Sequence, residues 1–312
     1  MKRKVIKQGN GTLTITLPKE WATKVGLKGG DDIDVNEIEN GLKISSEKHP
    51  AKYSLNLNLN KISVKNSRTH ISNAYKLGFD EIHVVFSNPS DLVPVQETVD
   101  KLIGFEVTSN TKESCLIKDI ALTNKEEFHS VFKKAYQLNL VLFEMLKEDM
   151  EKEDYSNLNI ISQYQSKLIS FTDYCRRIIN KHTVFNDKLD KSLYIISLKM
   201  NYTGTVLKEI YQYLTNSKGK LDKDTISLLS RAEEMYRTVF EGYFKEDISE
   251  VDKGISMKKK LYDNEGCSVL EKSKGKNSVV IAKTLEMIKH IYGSTGPIVA
   301  ILYQNSINKG NL

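Results

Sequence analysis

An α+β multidomain chain is predicted, with a small β-rich domain first, a small α/β segment in the middle and a helical bundle last. Three features of the 312-residue sequence predict it. Short runs of alternating polar and apolar residues, broken by Gly, Asn and Pro, fill the first fifty positions. Strand-like and helix-like runs then alternate. From residue 125 onward the apolar residues recur at helical spacing. The boundaries read as 1–48, 52–124 and 125–312, with His49-Pro50-Ala51 as a linker. At 39% hydrophobic and 28% charged, the chain has a globular composition.

Within the first domain, residues 4–7 are strand-like and Gln8-Gly9-Asn10-Gly11 is a turn, because Gly and Asn tolerate positive φ. Residues 12–17 (TLTITL) alternate and carry β-branched side chains, which marks a half-buried strand. Pro18 opens a short helix over 18–25 that Gly26 ends. Trp21 is expected in the core of the domain. Residues 32–35 and 42–45 read as two more strands around Asn40-Gly41. So small a unit cannot bury a full core alone and is expected to pair.

Charge is distributed unevenly along this domain. Lys2, Arg3, Lys4, Lys7, Lys19, Lys24 and Lys28 face one acid, Glu20, in residues 1–30. In residues 31–50 the acids Asp31, Asp32, Asp34, Glu37, Glu39 and Glu47 face Lys43 and Lys48. The net charge of +6 by itself only permits an anionic partner. A cationic front on a small paired domain points to phosphates. The competing reading is a solvated strand edge protected by charge.

This segment resembles the swapped-hairpin family of transition-state regulators and antitoxins, the AbrB/MazE/SpoVT type. The resemblance is carried by Gly9-Asn10-Gly11, Thr14-Ile15-Thr16-Leu17-Pro18-Lys19, Trp21, Val25-Gly26-Leu27, Gly30-Asp31 and Ile33-Asp34-Val35. It implies two chains with interleaved hairpins, a homodimer, and DNA as the partner. The positions that match the family's DNA-contacting ones are Arg3, Lys4, Lys7, Asn10, Thr12, Lys19 and Lys24. Family members often carry a basic pair inside the helix, where this chain has Ala22 and Thr23.

In the middle segment, strands are expected at 53–59, 81–86, 105–109 and 114–121 and helices at 67–77 and 92–103, in the order βαβαββ. Gly78 and Gly104 read as helix stops, and the segment shows no phosphate loop or nucleophile constellation. Long helices are expected at 128–150, 158–182, 189–214 and 222–244. A lysine-rich element or connection follows at 251–260. The last helix, 277–307, is expected to bend or break at residues 293–297.

The helical half resembles the phosphate-uptake-regulator (PhoU) family, through residues 171–181 (FTDYCRRIINK) and the run at 202–214. The words at 74–79 and 104–107 are similar to the segment that precedes the helices in archaeal members. The resemblance implies two related three-helix bundles, and metal clusters held by Glu or Asp repeated four residues apart. The corresponding positions here are Asn201 and Thr205, so no cofactor and no metal is expected; Asp173, Glu233, Glu234 and Glu241 remain as scattered carboxylates. Arg176 and Arg177 read as helix-end or salt-bridge residues.

No enzyme is expected, because neither Ser/His/Asp, Cys/His nor metal-hydrolase spacing occurs. Cys115, Cys175 and Cys267 are isolated, as in reduced cytosolic proteins. Residues 1–7 are basic without an apolar core behind them, and the apolar run at 297–303 is too short to span a bilayer. A cytoplasmic protein without membrane insertion is therefore expected. The functional expectation is a dimeric DNA-binding transcriptional regulator of phosphate uptake. The alternative is an interaction protein that modulates a phosphate transporter or signalling partner, with the head serving to dimerise.

Overall fold

The computed structural model describes residues 2–9, 11–38, 41–46, 53–121, 123–217 and 219–309. It divides into two compact units, Met1–Tyr53 and Ser54–Leu312. The linker expected at 49–51 and the turn residue Asn40 lie outside the described residues.

In the first unit, β1 (Ile6–Gln8) pairs antiparallel with β2 (Thr12–Thr14). Then come α1 (Lys19–Lys24), β3 (Asp34–Ile38) and β4 (Gly41–Ser45), the last two an antiparallel pair. The strand expected at 32–35 therefore starts two residues later and runs further. Pro18 stands at the N-cap of α1. The helix closes with paired bonds, Leu27 N–H to the Ala22 carbonyl (2.8 Å) and Gly26 N–H to that of Thr23 (3.1 Å). Gly26 takes φ +65°, as this termination requires.

The second unit opens with a four-stranded mixed sheet, order β5-β6-β8-β7. Its strands are β5 (Ser54–Asn58), β6 (Glu81–Val85), β7 (Phe105–Asn110) and β8 (Ser114–Asp119). The helices α2 (Ser67–Lys76) and α3 (Leu92–Val99) complete the expected βαβαββ order. β5 and β6 run parallel, and the other pairings are antiparallel. Ile82, Val84, Cys115 and Ile117 are buried, while His83 and Val85 are exposed, so one face of the sheet is covered. The helix expected at 92–103 stops at Val99. Its end tightens into three-residue turns, with Lys101 and Leu102 N–H bonded to the Thr98 and Val99 carbonyls.

Seven α-helices follow among the described residues: α4 (Phe128–Lys152), α5 (Leu158–Lys181), α6 (Asp187–Thr215), α7 (Lys223–Lys245), α8 (Ile248–Lys258), α9 (Cys267–Lys272) and α10 (Lys276–Asn308). A π-helical segment, Lys259–Gly266, joins α8 to α9. α4, α5 and α6 pack on one another, as do α7, α8 and α10; α6 with α10 and α4 with α7 join the two sets. Of the bend or break expected at 293–297, the break is absent, for α10 runs through Pro297. The ring removes one hydrogen bond, at a cost of about 3 kcal/mol in a helix interior. Buried Ile291, Ile298, Ile301 and Leu302 hold the helix in place on both sides of it.

The sheet segment and the helices share one core, and a polar joint ties them together. Arg177, fully buried on α5, donates from Nη1 to the carbonyls of Tyr75 and Phe79 (both 2.8 Å) and from Nε to Thr123 Oγ1 (3.2 Å). Its Nη2 meets Asp119 at 2.6 Å. Lys181 reaches Asp80 (2.6 Å) and Asp119 (3.1 Å), and Asn180 donates to the Lys76 carbonyl (2.6 Å). The last turn of α5 thus caps the last turn of α2, where the helix dipole favours cations. Gly78, at φ +92°, leaves room for this, since a Cβ there would stand 2.9 Å from Lys181 Cγ.

Burial pushes the Asp119 carboxyl up, but hydrogen bonds and charge from Arg177 and Lys181 outweigh it and hold it below the usual carboxylate range. The Asp119 contribution is therefore complete above the unfolded value, about 3.9, and is lost as pH falls through the lower folded value. Asp119→Asn is expected to lower stability at pH 7, and its deficit against wild type to shrink towards pH 3 in urea titrations. Arg177→Met, which leaves Asp119 without its buried partner, is expected to cost about 3–5 kcal/mol in the same assay.

Candidate nucleic-acid interface

The basic residues of the first unit lie on exposed backbone. Arg3 and Lys4 precede β1, Lys7 lies within it, Thr12 opens β2, and Lys19 and Lys24 are the first and last residues of α1; all are exposed. Among the described residues, no ion pair neutralises Arg3, Lys4, Lys7 or Lys19. Lys24 Nζ stands 5.9 Å from the centre of the Tyr53 ring. Asn10 lies outside the described residues.

Strand register sorts the hairpin residues by face. Lys7 pairs with Leu13, Gln8 with Thr12 and Ile6 with Thr14. Because side chains alternate along a strand, Lys7 and Leu13 share one face while Gln8 and Thr12 share the other. The hairpin thus places Lys7 and Thr12 on opposite faces. Thr14 Oγ1 donates to the Ile6 carbonyl at 3.2 Å, and the turn closes through Gly11 N–H to the Gly9 carbonyl at 2.8 Å.

The same segment is short of a core. Val25 is its one buried hydrophobic residue among those described. Val5, Ile6, Leu13, Ile15, Val35 and Leu42 are exposed, Leu13 at 67%. Trp21, expected in the core, is only half-buried. The β1–β2 and β3–β4 pairs form two separate sheets. Apolar side chains on two unjoined ribbons leave a large surface that association would cover.

Residues 6–52 match the family model of antidote-toxin recognition MazE, a bacterial antitoxin family. No curated protein matches the chain, and no solved structure does. The N-terminal unit is therefore a MazE/AbrB-like domain, and a large helical region stands behind it. The exposed basic residues and the uncovered apolar ones both belong to this MazE-like domain or its immediate N-terminal flank.

In the helical region, Asn201 and Thr205 are engaged with each other and with neighbouring polar groups. Asn201 Nδ2 donates to Thr172 Oγ1 (3.2 Å), and Thr205 Oγ1 donates to the Asn201 carbonyl (3.0 Å) while accepting from Gln165 (3.3 Å). Of the scattered carboxylates, Asp173 pairs with Arg176, Glu233 with Lys147 and Arg237, and Glu241 with Lys245. Glu234 is exposed. No group of three or more His, Cys, Asp or Glu among the described residues is arranged to hold a metal ion. No helix among them is long and apolar enough to cross a membrane.

Gly11 sits at φ +104°, a conformation strained for any residue with a Cβ. Gly11→Ala is expected to destabilise the hairpin by about 1 kcal/mol. Faster amide hydrogen exchange across β1 and β2, with exchange in the helical unit unchanged, is the readout.

Proposed function

We propose that the chain is a DNA-binding transcriptional regulator that acts as a dimer through its MazE-like head. The observation that carries this reading is a MazE-like domain whose exposed cations and uncovered apolar residues occur together. The cations supply a phosphate-binding field, and the apolar residues supply the reason to pair. Arg3, Lys4 and Lys7 carry most of that field, with Lys19, Lys24 and Asn10 as further DNA-facing candidates; Thr12 lies on the hairpin face opposite Lys7. The finer reading, regulation of phosphate uptake, is supported by the likeness of residues 171–181 and 202–214 to phosphate-uptake regulators. Two sets of three packed helices accord with that likeness. No step of this reading requires catalysis.

The matched family also contains antitoxins that recognise a toxin. That reading is less favoured, because the head here is followed by a folded 54–312 unit of sheet and helices. In the alternative of a phosphate-transport or signalling partner, the head only dimerises.

Fluorescence anisotropy on promoter fragments across a salt titration separates these readings. Wild type is expected to bind selected fragments, with log Kd rising linearly with log salt. In a variant with Arg3, Lys4 and Lys7 changed to Ala, the slope is expected to fall by about 0.9 for each phosphate that is no longer neutralised. Absent binding, or weak binding to every fragment that the variant leaves unchanged, would sink the DNA reading and favour a protein partner.

A further inference from the structure

The helical region carries a second cationic surface, built where α6, α8, α10 and the π-helical segment meet. Lys258 Nζ lies 5.3 Å from the centre of the Tyr262 ring and 5.5 Å from that of Tyr292. Lys289 Nζ lies 4.7 Å from the Tyr262 ring. Across α10, Lys199 Nζ stands 6.0 Å from the Tyr202 ring, which leans on His290 at 5.0 Å between centroids. Gly293 joins the two halves of the surface. A Cβ there would meet Lys199 Cε at 2.9 Å and Nζ at 3.3 Å, so Lys199 lies across the backbone next to Tyr292.

Little negative charge opposes these cations. Asp263 pairs with Lys258 at 2.9 Å, and Glu286 stands 3.8 Å from His290. Among the described residues no carboxylate pairs with Lys199 or Lys289. Lys259 and Lys260 add exposed charge on the π-helical segment. Tyr202 and Tyr292 are each about two-fifths exposed, at 42% and 41%, so each ring keeps open surface. π-Helical turns are rare and frequently occur at functional sites.

Amines alone would hold any anion. Amines set beside exposed rings fit an anion that also has a flat face, because a base can stack on the ring while its phosphates meet the lysines. We propose that this surface is a nucleotide-binding site, with Lys199 and Lys289 on the phosphates and Tyr292 and Tyr202 as the platforms for the base. The nucleotide comes either free or within a single strand. The site is separate from the head, and the proposal stands or falls independently of DNA recognition there.

Calorimetric titration of the full chain tests it with three probes: ATP, inorganic triphosphate and a twelve-residue oligo(dT). All are run in the background with Arg3, Lys4 and Lys7 changed to Ala, which lowers the head's contribution. ATP or the oligonucleotide is expected to bind, and to lose about fivefold or more in affinity on Tyr292→Ala and on Lys199→Gln or Lys289→Gln. Lys253→Gln, whose lysine pairs with Glu250, is expected to change nothing. ATP binding identifies a free nucleotide as the ligand, and oligonucleotide binding without ATP binding identifies a strand; both support the site. Triphosphate binding as tightly as ATP, indifference to Tyr292→Ala, or no binding of any probe at millimolar concentration overturns it.

Discussion

The guanidinium of Arg177 has no exposed surface and five N–H donors, so its partners must all lie inside the protein. It finds them on the neighbouring α/β segment: the carbonyls of Tyr75 in α2 and of Phe79 just past it, the Thr123 hydroxyl and the Asp119 carboxylate. The Tyr75 and Phe105 rings lie against it, at 4.9 Å and 4.7 Å from its centre. A buried cation is tolerable only when its charge and its donors are matched together. That requirement sets where the sheet segment sits on the helices. Asn180, Lys181 and His182, the last being 2.8 Å from the Thr123 carbonyl, extend the same joint by one turn.

Against this tightly held unit, the head is incomplete by design of its sequence. Among the described residues its strands are short, its two ribbons do not pair with each other, and its apolar residues find few neighbours in the single chain. The two units therefore differ in what they need. The larger one pairs its buried Arg176, Arg177 and Glu233 internally, whereas the smaller leaves both charge and apolar surface for something outside the chain.

Much of this was legible beforehand. The Gly9 to Gly11 turn, the Pro18 helix start and the βαβαββ order all follow from backbone preferences that act over a few residues. The four long helices between residues 128 and 245 announce themselves by spacing alone. Errors fall where local preference meets packing. The helix expected at 92–103 ends early because its last turn tightens, and α10 survives Pro297 because its flanks are buried. Trp21 reads as core from its chemistry, but the single chain has too little material to cover it.

The candidate sites divide in the same way. Seven cations against one acid in the first thirty residues mark one end of the head as positive from the chain order alone. Lys199, Lys258, Lys289 and the tyrosines beside them are spread over nearly a hundred positions, and only the packing of α6, α8 and α10 gathers them. The sequence by itself determined element type, the order of the elements and the charge of the head, since these depend on neighbours along the chain. Tertiary structure alone decided that Arg177 is the joint, that Lys7 and Thr12 lie on opposite faces, and that Asn201 and Thr205 bond to each other and their neighbours. Each of those depends on groups that are distant in sequence or on a register that only pairing sets.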